Sequence, residues 1–142
     1  MLGVIEALLG DGFLLSGTTS MHLSPGETSQ LLHADDGMIS LPRPHLATMV
    51  TTLWALTEFR PENGGTLLVP GSHLEAEMPR PGETHAPIAV SMPAGSALVL
   101  HGSTWHGGGN NTGLGALRPR RGMNRAKCAA PGSSPRRKSR VG

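Results

Sequence analysis

Residues 87–101 read Pro-Ile-Ala-Val-Ser-Met-Pro-Ala-Gly-Ser-Ala-Leu-Val-Leu-His. Two short aliphatic runs separated by Pro-Ala-Gly predict a strand, a turn and a second strand. The same grammar extends outward in both directions. Thr66–Val69 restarts a strand after the sharp turn Pro61-Glu62-Asn63-Gly64-Gly65, and Pro70-Gly71 stops it. Ala47–Phe59 is the longest run; its Thr, Val and Leu content, with Trp54, and its partial alternation predict a central strand. Phe13–Leu23 predicts a strand running into a turn at Pro25-Gly26, and Val4–Leu9 a short helix that stops at Gly10-Asp11-Gly12. Glu75–Ala86 is polar and carries proline, as surface loops do, and Gly107–Gly115 is mostly Gly and Asn.

Composition agrees with this pattern. The chain has 142 residues, enough for one domain, with 20 Gly and 12 Pro against 2 Trp, 2 Phe and no Tyr. Long helical bundles are thereby disfavoured, and the expected class is an all-β core with a minor helix, a sandwich or barrel of short strands. No stretch approaches the ~18–20 apolar residues of a membrane span. The N-terminus has no basic region and carries Glu6 among its apolar residues, so no secretory signal is read and a cytoplasmic location is the default expectation. Cys128 is the single cysteine, which leaves His, Asp and Glu as the available ligands for any metal.

Charge is strongly segregated. Up to Leu117, three arginines face all ten acids, whereas nine basic residues and no acid follow from Arg118 onward. After Gly122 the apolar periodicity ends, so residues 123–142 are expected to be a basic, disordered tail behind a domain of residues 1–122. The tail lacks interleaved aromatics, and no specific nucleic-acid partner is expected.

Among seven histidines, only His33 has a carboxylate two residues on, in His33-Ala34-Asp35. On an extended strand, positions i and i+2 point to one face, so imidazole and carboxylate converge in a manner suited to a divalent cation. His106, just before the Gly-rich run, is the best third ligand, and two His with one carboxylate is the donor set of non-haem Fe(II) oxygenases. By itself the H-x-D pattern is common, and a lone His is more often a hydrogen-bonded or surface residue. Asp36 competes as the carboxylate or caps a turn, its side chain facing away from that of Asp35 if strand geometry holds. Trp54 on an apolar strand is more often core than cofactor wall, while His73 reads as structural and His101 as peripheral to the site or on the surface.

Several motifs in order resemble the phytanoyl-CoA dioxygenase family. They are Pro25-Gly26-Glu27 with Gln30 and His33-Ala34-Asp35; Trp54-Ala55-Leu56; Glu62-Asn63-Gly64-Gly65-Thr66 leading to Val69-Pro70-Gly71-Ser72-His73; and Gly95-Ser96-Ala97 leading to His106-Gly107-Gly108-Gly109 with Asn111. The resemblance spans about Leu2 to Gly122. It implies an incomplete double-stranded β-helix, a cupin-like jelly roll, with Fe(II) and the cosubstrates 2-oxoglutarate and O2. Its iron ligands match His33, Asp35 and His106. The arginine that holds 2-oxoglutarate matches Arg120, with Arg118 second; Trp54 matches a pocket tryptophan, and Thr66 adds a hydroxyl nearby. The implied reaction is hydroxylation of an unactivated C–H bond in a small organic substrate, and Asp35 in place of a small residue disfavours halogenation.

The chain also departs from the family. Its members are usually longer at both ends, so this sequence is expected to be truncated, with an unprotected sheet edge and its oligomeric state open. The alternative reading is therefore a catalytically inactive β-domain, or a binding module whose basic tail engages an acidic partner.

Overall fold

The computed structural model describes residues 1–82, 84–113 and 123–129. Helix α1 (Leu2–Leu9) and strand β1 (Leu14–Met21) fall where the sequence predicts them. The remaining strands are β2 (Met49–Trp54), β3 (Leu67–Leu68), β4 (Ile88–Ala89), β5 (Ala97–His101), β6 (His106–Gly107) and β7 (Met123–Ala129). A 3-10 turn at Ser72–Leu74 follows β3.

The strands form two antiparallel sheets, a larger one in the order β1-β7-β2-β5 and a smaller one in the order β4-β3-β6. Because side chains alternate along β2, its two faces do different work. Val50 is fully buried with Ile5 of α1 and Cys128 of β7, and Leu9, Phe13, Ala47 and Val99 pack against this cluster. The helix thus covers one face of the larger sheet. Thr51 and Leu53 point the opposite way, into the space between the sheets, where both are buried.

Two expectations need correction. Residues 123–129 are not part of a disordered tail: they form β7, the strand between β1 and β2, in register with both. Ladder hydrogen bonds are made by the backbone whatever the side chain, and a strand paired on both edges needs few apolar residues to stay in place. Cys128 meets Val50 in register and supplies the buried contact. The rest of the expected tail, 130–142, lies outside the described residues. The second correction is that His33-Ala34-Asp35 is not a continuous strand; His33 makes an isolated bridge to His106, and a turn begins at Asp35.

Two glycine positions explain the Asn-Gly-Gly turn and the Gly run. A Cβ on Gly65 would lie 2.7 Å from the Arg60 carbonyl oxygen and 2.8 Å from that of Val90, and one on Gly109 would lie 2.6 Å from the Gly65 carbonyl oxygen. Backbone crosses backbone there, so no side chain fits. Among the described residues, no helix is long and apolar enough to cross a membrane.

Candidate metal centre

His33 and His106 come together through their backbones. Each N–H donates to the other's carbonyl oxygen at 2.9 Å, which sets the two rings 4.7 Å apart between centroids. Asp35 follows His33 into the turn, and its N–H donates to the Gly102 carbonyl oxygen at 2.9 Å. Residues 33–35 and the distant His106 thus converge.

The donor atoms face one another. His33 Nε2 lies 3.8 Å from Asp35 Oδ1, His106 Nε2 lies 3.6 Å from Asp35 Oδ2, and the three donors all fall within 4.8 Å. These separations exceed a hydrogen bond, and they suit donors that would each sit ~2.1 Å from one shared ion. His33 Nδ1 is 3.1 Å from the Leu31 carbonyl oxygen and His106 Nδ1 is 2.8 Å from that of Thr104. A carbonyl only accepts, so each ring carries a proton on Nδ1, and Nε2 is the nitrogen that faces Asp35. Two imidazoles and a carboxylate fit a divalent transition metal. The side chains of Asp35 and His106 are 2% and 3% exposed and that of His33 is 39%, so the centre opens on the His33 side.

Asp36 takes no part in this donor set. Its side chain is fully buried on the far side, bound by Arg43 Nη1 at 2.9 Å and by the Ser103 hydroxyl, with His45 Nε2 at 3.6 Å. Arg43 Nη2 donates to the Ser103 carbonyl oxygen at 2.9 Å. This buried pair ties the turn after His33 to the segment that leads into His106. Beside it, the Ser103 N–H donates to His101 Nδ1 at 3.0 Å. Burial pulls the His101 pKa below its ordinary 6.5; the Asp36 charge opposes that, and His73 and His45 reinforce it.

The other expected residues divide. Thr66 is buried and two positions from Leu68, which pairs with His106, so alternation sets Thr66 on the His106 face. Trp54, the last residue of β2, shares the Val50 face by alternation and is 37% exposed. Strand alternation gives the other face of β2 to Thr51 and Leu53. Arg118 and Arg120 lie outside the described residues.

Two further residues contribute: Gln30, present in the sequence motif without a stated role, and Thr51, which the sequence reading did not single out. Gln30 Oε1 accepts the Gly108 N–H at 3.0 Å while the Gln30 N–H donates to the Gly108 carbonyl oxygen at 2.9 Å, which pins the segment before His33 to the run after His106. Thr51 donates its hydroxyl to Asp35 Oδ2 at 2.5 Å. A threonine inside an apolar strand is the available signal for the second, and its β-propensity conceals it.

Comparison with known proteins decides the family. The phytanoyl-CoA dioxygenase (PhyH) family model matches residues 6–122. The chain belongs to the phytanoyl-CoA dioxygenase family. It is similar to the dioxygenase cdmA of Talaromyces verruculosus, with 37% identity over 124 residues, 78% of this chain and 40% of that protein. The chain therefore spans about two fifths of the length of this curated relative. Among solved structures, the non-heme monooxygenase ThoJ superposes with a TM-score of 0.74 at 22% identity, over 94% of this chain and 53% of that one. SnoN, a non-heme alpha ketoglutarate dependent epimerase from nogalamycin biosynthesis, does so with a TM-score of 0.69 at 24% identity, over 90% of this chain and 51% of that one. The fold of this phytanoyl-CoA dioxygenase family member is thus the partial jelly roll of non-heme iron oxygenases.

Proposed function

We propose that this chain carries the metal-binding part of an Fe(II)- and 2-oxoglutarate-dependent dioxygenase that hydroxylates an unactivated C–H bond of a small organic substrate. The observation that carries the reading is the convergence of His33 Nε2, His106 Nε2 and the Asp35 carboxylate, with both Nδ1 atoms already committed to backbone carbonyls. Family membership supports the same chemistry. Fe(II) bound there, with 2-oxoglutarate and O2, supplies the oxidation of the C–H bond and yields succinate and CO2.

The protein's share is to bind and orient. The carbonyls of Leu31 and Thr104 hold the imidazoles in one tautomer, so neither ring has to turn on binding. Asp35 brings the negative charge, while the neighbouring Asp36 charge is satisfied by Arg43. We assign Arg120, with Arg118 second, to the distal carboxylate of 2-oxoglutarate, because a guanidinium fork makes two parallel hydrogen bonds to a carboxylate. Thr66, on the His106 face, would add a hydroxyl beside it.

The test is anaerobic addition of Fe(II) and 2-oxoglutarate to the purified chain, read by visible absorption. A weak charge-transfer band is expected in the parent and absent in His106→Ala. A folded parent protein that shows no band would overturn the reading.

A further inference from the structure

We infer that Thr51 is a positioning residue for the Asp35 carboxylate, and so sets the affinity of the centre for its metal; this rests on the reading proposed above. Each imidazole of the group makes an outer hydrogen bond to backbone, His33 to the Leu31 carbonyl and His106 to the Thr104 carbonyl. Both of those acceptors are backbone within two residues of the ring they hold. Asp35 is different. The hydroxyl on its Oδ2 comes from another sheet element, Thr51 of β2, sixteen residues away.

Position 51 is fully buried. It stands on the inner face of the larger sheet, opposite Leu100 and beside Leu53, both also buried. Valine would fill the same volume there without a polar atom, and a buried hydroxyl without a partner is costly. The hydroxyl is useful at this position because it meets a carboxylate, and a hydrogen bond to a charged acceptor is stronger than a neutral one. The hydrogen-bond donor also limits rotation of the carboxylate about its own axis. One fixed plane then presents Oδ1 toward His33 and Oδ2 toward His106, as the distances of 3.8 Å and 3.6 Å record. Groups that hold metal ligands in this way typically change affinity by about 10–100-fold when removed.

Mn(II) titration of the whole chain, with free Mn(II) followed by electron paramagnetic resonance, tests this without any need for turnover. Thr51→Val is expected to weaken Mn(II) binding by about 10–100-fold, while Thr51→Ser, which keeps the hydroxyl, stays within about threefold of the parent. Circular dichroism and urea unfolding of the metal-free variants check that each is folded, and Thr51→Ala replaces Thr51→Val if the latter is not. Parent-like affinity in the folded Val or Ala variant overturns the inference, as does a Ser variant as weak as Val. A parent that binds no Mn(II) overturns the metal-centre reading itself, which separates the two failures.

Discussion

His101 shows what a half-buried imidazole costs when its role is structural. Its Nδ1 accepts the Ser103 N–H, an arrangement that places the ring proton on Nε2 and leaves no room for a second proton on Nδ1 without losing that bond. Burial lowers its pKa below 6.5 in the fold. As pH falls, the unfolded chain takes up the proton first, so the contribution of His101 is present above that value and lost below it. The midpoint of urea unfolding, measured without metal from about pH 7.5 down to about pH 5.5, is expected to fall, and to fall less steeply in His101→Asn. An identical slope in the variant would remove His101 as the cause. The neighbouring carboxylates illustrate how residue identity and role separate. Asp35 and Asp36 are adjacent and chemically alike, and the H-x-D spacing singles out the first; the turn at Asp35 sends the second to Arg43 and Ser103. Thr51 showed in the sequence only as a threonine inside an apolar strand, since nothing near it in the chain names Asp35 as its acceptor.

The strands were legible where apolar runs are cut by proline and glycine, as at Ile88–Ala89 and Ala97–His101. Strand β7 was not. Met123–Ala129 has no aliphatic run, its Met, Ala and Cys residues being interrupted by Asn124, Arg125 and Lys127, and it becomes a strand because β1 and β2 present unpaired backbone edges on either side of it. Turns were legible as breaks in the chain, yet the reason for a particular glycine is tertiary. Gly65 is required because the Arg60, Val90 and Gly109 backbones meet it. Gly65→Ala is therefore expected to destabilise by about 1–3 kcal/mol, as overpacking does. Gly17→Ala in β1, where an added Cβ meets nothing within 4 Å, is expected to stay within about 0.5 kcal/mol of the parent. Urea unfolding of the two variants checks this, and equal midpoints would contradict the crossing-backbone explanation.

Residues 33–35 link the two sheets, His33 by its bridge to His106 of the smaller sheet and Asp35 by its hydrogen bond from Thr51 of the larger one. A metal that joins His33, Asp35 and His106 would cross-link the same junction in the native state alone. At Mn(II) about 100-fold above its dissociation constant, the folded chain is expected to gain about 2.7 kcal/mol, a rise of several degrees in the thermal midpoint relative to chelator. His106→Ala should show no such rise, and a parent indifferent to saturating Mn(II) would refute the cross-link. Local chemistry in the chain was enough to reveal the class, because proline, glycine and short aliphatic runs constrain the backbone wherever they occur. It was also enough to nominate His33, Asp35 and His106, because ligand chemistry resides in the side chain. The face on which each side chain would land came from pairing register and from which segments pack together. Those long-range contacts brought Thr51 to Asp35 and drew Met123–Ala129 into the sheet.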